Sequence, residues 1–268
     1  MRFANYPVLV RGGGDLATGV VYRLHKAGFP VMVTELERPF VIRRQVAVAT
    51  AVLHGDVHVE DLHAQHVPDL ATAQKLAQTG AIPVLVSPNL PRLQPPAPIL
   101  IDARLAKRNI DTQREQADLV IALGPGFTAG EDCHAVIETM RGHWLGRVIW
   151  QGTTIPDTGT PGIVAGKGAE RVLRAPCGGK VNWRLGIGDL VKAGEVIGDV
   201  ADMPVVAPFA GVVRGLISPG MFVKEGLKIG DIDARAEREA CFTISDKALA
   251  IGGGVLEAIL TWLNQEGK

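Results

Sequence analysis

The stretch Val8–Gly19, VLVRGGGDLATG, decides the fold prediction, because a short apolar strand runs into three glycines and then into a helix. Gly12, Gly14 and Ala17 fit the pattern G-x-G-x-x-A. In that pattern glycine permits a tight turn and lets the backbone approach a phosphate, and alanine lets the helix pack on the sheet. The first N–H groups of the helix would face the anion.

A carboxylate at the end of the next predicted strand extends this pattern. Glu35 follows the glycine turn by about 20 residues, the spacing of the carboxylate that holds a ribose in dinucleotide sites. Asp15 departs from the pattern, since it adds negative charge where a phosphate would lie. A glycine turn needed only for packing is the alternative. The candidate ligand-binding residues here are Gly12, Gly13, Gly14, Asp15, Ala17, Thr18 and Glu35.

A second apolar strand enters a glycine-rich turn at Leu119–His134, LVIALGPGFTAGEDCH. Turns that follow parallel strands lie along one edge of the sheet, so this turn and the first one are expected to face one ligand from two sides. A tight turn with acidic capping of a following helix is the alternative. The candidate residues are Gly124, Pro125, Gly126, Phe127 and Gly130.

Residues 1–165 alternate apolar runs with amphipathic stretches, which predicts a Rossmann-like α/β domain with a mostly parallel sheet. The predicted strands are 7–10, 30–34, 83–86, 98–101, 118–123 and 147–150. The predicted helices are Leu16–Ala27, Val41–Leu53, Asp69–Thr79 and Asp132–Arg141. The Thr-, Pro- and Gly-rich stretch Gln151–Gly162 predicts a linker.

The segment 175–232 contains an internal repeat. A shift of 32 residues aligns Ala175 and Pro176 with Ala207 and Pro208, and it gives eleven identities in all without a gap. Two copies that cannot bury an apolar face alone are expected to pack face to face as a small β-sandwich. The repeat resembles the barrel-sandwich hybrid of biotinyl and lipoyl domains. The joining segment Val200–Val206 has no lysine, so no covalent biotin or lipoate is expected.

The chain end turns helical again. Ser245 can cap a helix with an apolar stripe, in which the triplet Gly252–Gly254 predicts a break or a close backbone approach. The domain prediction is therefore a ligand-binding domain over 1–165, a duplicated β-domain over 166–235 and a helical segment over 236–268 that packs back on the first domain.

Other residues suggest chemistry less strongly. His134 and Glu138, at i and i+4 of a predicted helix, could hold a metal, or one could orient the other as a catalytic base. A surface hydrogen bond explains them better. Cys133 could be a nucleophile, but no oxyanion motif accompanies it. Asp102, Arg104 and Lys107 could reach the same cleft or start a solvated helix. The stretch GLKIGDIDAR, 226–235, predicts a salt-bridge network between domains, with ligand contact as the alternative.

Composition excludes several classes of protein. The chain has 268 residues with 28 basic and 28 acidic side chains, so no basic nucleic-acid footprint exists. The N-terminal sequence has no signal-peptide pattern, and no apolar run reaches the length of a membrane span, so a cytoplasmic location without a membrane partner is expected. The three cysteines lie far apart, which predicts neither a disulfide framework nor a metal site.

Four stretches together resemble a bacterial family of maturation proteins for selenium-dependent molybdenum hydroxylases, related to the xanthine dehydrogenase accessory proteins. They are VRGGGDLATGVVYRLHKAGF, LGPGFTAGEDCHAVIETMRGHWLG, GLKIGDIDAR and ISDKALAIGGGVLEA. One departure is DIDAR where DIDPR is expected. The resemblance implies an accessory protein that prepares or delivers molybdenum cofactor, or its sulfur or selenium ligand, to a xanthine dehydrogenase-type enzyme.

The expected ligand is accordingly molybdopterin or another nucleotide-like molecule, whose phosphate suits a glycine-bordered helix N-terminus. An NAD(P)-dependent oxidoreductase that uses Gly12, Gly14 and Glu35 is the first alternative. A docking scaffold without a small ligand is the second. The target hydroxylase is the expected protein partner, a homo-oligomer is allowed, and catalytic turnover is left open.

Overall fold

The computed structural model describes residues 1–93, 97–160, 162–163 and 165–267. The chain forms two compact units. Unit 1 comprises Met1–Pro39, Ala47–Thr158 and Ile244–Lys268, and unit 2 comprises Phe40–Val46 and Gly159–Thr243. Within the described ranges, no helix has the length and apolar character needed to cross a membrane.

Unit 1 is built on a nine-stranded sheet. Its strands are β1 (Val8–Arg11), β2 (Val31–Glu35), β3 (Asp56–Val59), β4 (Leu62–Val67), β5 (Ile82–Val86), β6 (Ile99–Asp102), β7 (Leu119–Leu123), β9 (Ala135–Ile137) and β10 (Val148–Ile149). The order is β10-β9-β7-β6-β1-β2-β5-β4-β3. The two edge strands, β3 and β10, run antiparallel to their neighbours. Two further strands, β8 (Thr128–Ala129) and β11 (Gly152–Thr153), form a separate antiparallel pair.

Helices cover both faces of this sheet. They are α1 (Asp15–Ala27), α2 (Ala51–His54), α3 (Leu70–Gln78) and α4 (Asp246–Gln265). The side chains of α1 and α4 share one apolar core with Val8 and Val10 of β1, whereas α3 packs with Leu9 on the opposite face. The central strands are buried on both faces, which explains why they are continuous apolar runs in the sequence.

The glycine triplet lies where α1 and α4 cross. The helix α4 is continuous through it. A Cβ at Gly252 would overlap the carbonyl oxygen of Gly19 in α1, and a Cβ at Gly254 would overlap that of Gly146. Nothing lies within 4 Å of a Cβ at Gly253. The triplet therefore permits a close backbone approach and does not break the helix.

The described part of unit 2 contains eight strands. They are β12 (Val172–Arg174), β13 (Gly179–Trp183), β14 (Leu190–Val191), β15 (Val196–Val200), β16 (Met203–Val206), β17 (Gly211–Leu216), β18 (Phe222–Val223) and β19 (Lys228–Asp233). Two four-stranded sheets have the orders β12-β19-β17-β14 and β16-β15-β13-β18. Strands that the 32-residue repeat relates take equivalent places in the two sheets. Their inner faces share one apolar core that includes Val181, Val213 and Ile229.

The predicted fold class is wrong in both units. The large sheet is mixed, and the described residues of the connections from β5 to β6, β6 to β7 and β7 to β9 contain no α-helix, so it is not a regular Rossmann-like series of strand and helix. In unit 2 the two copies of the repeat do not pack against each other as separate layers. Each copy contributes two strands to each antiparallel sheet, and the biotinyl-like barrel-sandwich hybrid is not supported.

The predictions of individual strands and helices were more accurate than that of the fold class. All six predicted strands are present within one or two residues, as are the helices predicted at Leu16–Ala27 and Asp69–Thr79. The predicted helix Val41–Leu53 consists of the 3₁₀ turns Arg44–Val46 and Val48–Thr50 and the start of α2. The predicted helix Asp132–Arg141 contains strand β9 instead. Within the predicted linker, Pro161 lies outside the described residues, as does Lys268 of the predicted C-terminal segment.

Candidate functional site

The first glycine turn lies at the carboxyl ends of the parallel strands of unit 1. Gly12 has a φ of +93°, and its N–H donates to the Thr34 carbonyl at 2.8 Å. The N–H of Gly13 donates to Glu35 Oε2 at 2.8 Å, and Glu35 Oε1 accepts the Leu36 N–H at 2.7 Å. Both carboxylate oxygens of Glu35 therefore serve the backbone of this turn and its own strand end.

The helix α1 begins directly after this turn. Its N-cap is Gly14, with φ −64° and ψ 178°, and no side chain among the described residues caps it. A Cβ at Gly14 would meet nothing within 4 Å. Ala17 is buried against the sheet, and the Thr18 hydroxyl donates to the Gly14 carbonyl at 2.9 Å. The first turn of α1, which also carries Asp15, thus has open space at its amino end.

The second glycine turn has a different structure from the one predicted. Gly124, Gly126 and Gly130 have positive φ values of 75°, 106° and 95°. The chain continues into β8 and β9, so no helix N-terminus follows the turn. The ring of Phe127 is buried in the apolar core, and Pro125 is half-buried. This turn therefore has no helix dipole to offer an anion.

The loop that follows β6 lies between the two turns, because β6 lies between β1 and β7 in the sheet. A Cβ on Gly12 would press on Ala103, and a Cβ on Gly126 would press on Arg108, so both glycines permit close contact with this loop. The two turns lie on opposite sides of residues 103–108, which separate them. The structure thus brings both turns to one edge of the sheet, with a loop between them.

Ion pairs hold that loop to the sheet. Arg11, which is 2% exposed, donates two hydrogen bonds to Asp111 at 2.8 and 2.9 Å. Arg104 bonds both Asp111 and the buried Asp102, which also accepts the Thr112 hydroxyl at 2.6 Å. The hydrogen bonds from Arg11 lower the pKa of Asp111 to about 2. These groups satisfy one another, so their geometry is that of a structural network.

The second strong electrostatic feature is the first turn of α4. Ser245 caps this helix by accepting the Ala248 N–H at 3.2 Å. Burial, and then the nearby cations Arg141 and Lys107, lower the pKa of Lys247, against the opposing effect of Asp15. A Cβ at Gly19 in α1 would overlap the carbonyl oxygen of Ala248, so the start of α4 packs directly on α1. A cation in the first turn of a helix also faces the positive end of the helix dipole.

The carboxylates around Lys247 have other partners. Arg141 holds Asp246 at 2.8 Å, and Lys107 holds Asp157 at 2.7 Å. Glu138 is 2% exposed and accepts the N–H groups of Met140 at 2.7 Å and Ile155 at 2.8 Å. These pairs fix the side chains that surround Lys247.

The predicted pairing of His134 with Glu138 is wrong. These residues flank the strand β9, and four strand residues span about 13 Å, far beyond the distance between two ligands of one metal. Nδ1 of His134 accepts the Val120 N–H at 2.9 Å, and burial, followed by Arg114, lowers the pKa of the ring. Burial, followed by Asp132, raises the pKa of the Cys133 thiol to about 12. Neither residue is available as a metal ligand or nucleophile.

The stretch 226–235 forms ion pairs inside unit 2. Asp231 pairs with Arg171 at 2.6 Å, and Asp233 pairs with Arg214 at 2.9 Å and Arg235 at 2.6 Å. Both aspartates are buried. Within unit 2 this stretch therefore stabilises the end of β19.

Sequence reasoning missed two groups in unit 1. Arg11 stands inside the first quoted motif, where an arginine at the end of a buried apolar strand signals a buried partner. The other missed group is Lys247. No local pattern places it beside Asp15, since the two residues are far apart in the chain.

Comparisons with known proteins found one strong sequence relative. The uncharacterized protein YqeB of Escherichia coli strain K12 is 49% identical over 262 residues, which are 97% of this chain and 48% of that protein. The chain thus spans about half the length of the curated relative it matches. No family model matches the chain.

Solved structures gave weak similarities. A succinylglutamate desuccinylase/aspartoacylase from Rhodobacter sphaeroides is 23% identical, with 25% of this chain and 22% of that chain covered and a TM-score of 0.22. An aspartoacylase family protein from Mesorhizobium loti is 11% identical, with 84% of each chain covered and a TM-score of 0.28. The ectoine utilization protein EutE (DoeB) from Ruegeria pomeroyi is 14% identical, with 85% of this chain and 57% of that chain covered and a TM-score of 0.24. TM-scores this low carry no argument about reaction or substrate.

These findings correct the family prediction. The Escherichia coli relative is described only as uncharacterized, and no family model matches, so nothing found points to a maturation family for molybdenum hydroxylases. The predicted family and the maturation function that it implied are therefore wrong. The geometry of unit 1 is therefore the basis for a functional proposal.

Proposed function

We propose that unit 1 binds a small ligand through an anionic group, a phosphate or a carboxylate, at the adjacent first turns of α1 and α4. The observation that carries the proposal is the position of Lys247. It is a half-buried cation in the first turn of α4, which packs on α1 at Gly19, and burial followed by the nearby Arg141 lowers its pKa. Perturbed ionisable groups of this kind are concentrated at functional sites.

The first turn of α1 supports the same ligand chemistry. Its first N–H groups have no intrahelical partner, as at any helix start, and the uncapped Gly14 leaves open space in front of them. Backbone N–H groups and a helix dipole bind anions without a formal charge. Lys247 would supply the charge, and the first turn of α1 the orientation.

The surrounding carboxylates set the selectivity. Asp246 and Asp157 are bound by Arg141 and Lys107, so those cations are partly neutralised. Asp15 opposes a highly charged ligand, because it adds a negative charge beside Lys247. The proposal is therefore one anionic group of a small molecule held by Lys247. A nucleotide-like ligand and a cytoplasmic setting remain proposals from the sequence.

Titration calorimetry with inorganic phosphate and with AMP tests the proposal. Lys247→Ala removes a charge-assisted hydrogen bond worth about 1.5–3 kcal/mol, which corresponds to a loss of roughly 10–100-fold in affinity. Gly14→Val should weaken binding as well, because its side chain would occupy the open space while the backbone stays unstrained. Gly253→Ala, a change in open space in the middle of α4, is the matched control and should bind normally.

Proton linkage gives an independent readout. An anion next to Lys247 raises the lowered pKa of that amine, so binding at alkaline pH should take up protons. Calorimetry in buffers with different ionisation enthalpies measures this uptake. Lys247→Arg should bind with little uptake, because a guanidinium stays protonated. Unchanged affinity in both Lys247→Ala and Gly14→Val, with the fold intact by circular dichroism, would refute the proposed site.

A further inference from the structure

The edge hairpin of unit 1 places three metal-binding side chains together. Strands β3 and β4 pair antiparallel, with His58 directly opposite His63. The two imidazole rings stack with centroids 4.3 Å apart and planes 3° from parallel. His63 Nε2 lies 3.0 Å from Asp56 Oδ2. One ligand atom from each of these three residues lies within 4.8 Å of the others.

The strand geometry explains why these side chains converge. Successive side chains of a strand point to opposite faces, so Asp56 and His58 share one face with His63 across the pair. The alternate residues, among them Val59 and Leu62, are 1% exposed and hold the hairpin to the core. The backbone that carries the three groups is thus fixed, while the side chains themselves are exposed or half-buried.

We propose that Asp56, His58 and His63 form a site for a divalent transition metal of the Zn²⁺, Ni²⁺ or Cu²⁺ group. Two imidazoles and one carboxylate are the donor set that these ions accept. Zn–N bonds of about 2.0–2.1 Å require ligand atoms roughly 3.3 Å apart, so small side-chain rotations close the site. Three protein ligands leave a further coordination position open, and exposure makes the ion exchangeable.

The three side chains can act together on one metal ion, because one ligand atom from each lies within 4.8 Å of the others. A metal needs both rings neutral and binds one nitrogen of each. Asp56 then neutralises part of the charge of the metal. In the unloaded hairpin its hydrogen bond to His63 orients that ring.

Metal titration of the full chain tests the site. Zn²⁺ calorimetry should give one ion per chain, and Cu²⁺ electron paramagnetic resonance should show coupling to two nitrogens. His58→Ala and His63→Ala should each lower Zn²⁺ affinity by more than the roughly 10–100-fold that loss of an outer-shell partner costs. Each variant should show one coupled nitrogen instead of two. Asp56→Asn should weaken binding and keep both nitrogens.

The matched control is His66→Ala, an exposed histidine of the same strand that points to the other face. It should bind Zn²⁺ like the unmodified chain. His58→Gln is the second variant if His58→Ala disturbs the fold. Equal affinity in the His58 and His63 variants, an equal loss in His66→Ala, or a single coupled nitrogen in the unmodified chain would each overturn the proposal.

Discussion

The glycine triplet of α4 permits a sharp test of how unit 1 is packed. Alanine at Gly253 should stabilise the protein, because its Cβ meets open space and alanine is about 1 kcal/mol more favourable than glycine in a helix interior. Alanine at Gly252 or Gly254 gains the same propensity but overlaps a backbone carbonyl. No rotamer can relieve that overlap, since Cβ has no freedom and the opposing atom belongs to a main chain.

The size of the effect follows from these opposing contributions. Overpacking costs about 1–3 kcal/mol, and a backbone obstacle puts these two sites near the upper end. After the propensity gain is subtracted, Gly252→Ala and Gly254→Ala should lower the free energy of unfolding by about 2 kcal/mol. In melting temperature, Gly253→Ala should gain about 2–4 °C and the other two lose about 4–8 °C.

Circular dichroism at 222 nm is the appropriate probe. The α-helices all belong to unit 1, whereas the described part of unit 2 contains only 3₁₀ turns besides its strands. Urea unfolding followed at this wavelength therefore reports on unit 1. Three variants of equal stability would refute the close approach of α1 and α4. So would a Gly253→Ala variant as unstable as Gly252→Ala.

Two further predictions concern ionisable groups. Because Arg11 lowers the pKa of Asp111 to about 2, below its unfolded value of about 3.9, this pair should stabilise unit 1 fully above about pH 4 and lose its effect as pH falls to 2. Urea midpoints between pH 2 and 5 should fall less steeply in Asp111→Asn, and an unchanged slope would contradict the assignment. Ellman's reagent should modify at most the half-buried Cys177 in the native chain, since Cys133 and Cys241 are buried with raised pKa values. All three thiols should react in guanidinium chloride; fast native reaction of Cys133 would show that its burial is wrong.

The sequence was a good guide where structure is locally determined. The turn at Gly12–Gly14 and the start of α1 follow from short-range rules, since an apolar strand, glycines and an amphipathic stretch each restrict the backbone. The repeat likewise predicted two similar copies of a short-stranded unit within 175–232. It could not say which strands would pair, because pairing between copies and within copies buries similar apolar faces.

The segment after Gly130 shows why other predictions failed. Acidic residues before an apolar stretch predicted a helix, but Ala135–Ile137 add a strand to the sheet beside β7. Between β7 and β10 in the sheet, burial of extended apolar residues outweighs local helix propensity. The hairpin of β3 and β4 was missed because its histidines and acids mask the alternation of its buried residues.

The position of α4 connects these observations. With no helix after β7, one face of β7 and β9 would remain uncovered, and α4 packs there from the far end of the chain. The same packing brings the first turn of α4 beside the first turn of α1. That position of α4, and of Lys247 in its first turn, is available because the local sequence after β7 forms a strand and not a helix. A helix there would occupy the face of the sheet that α4 covers.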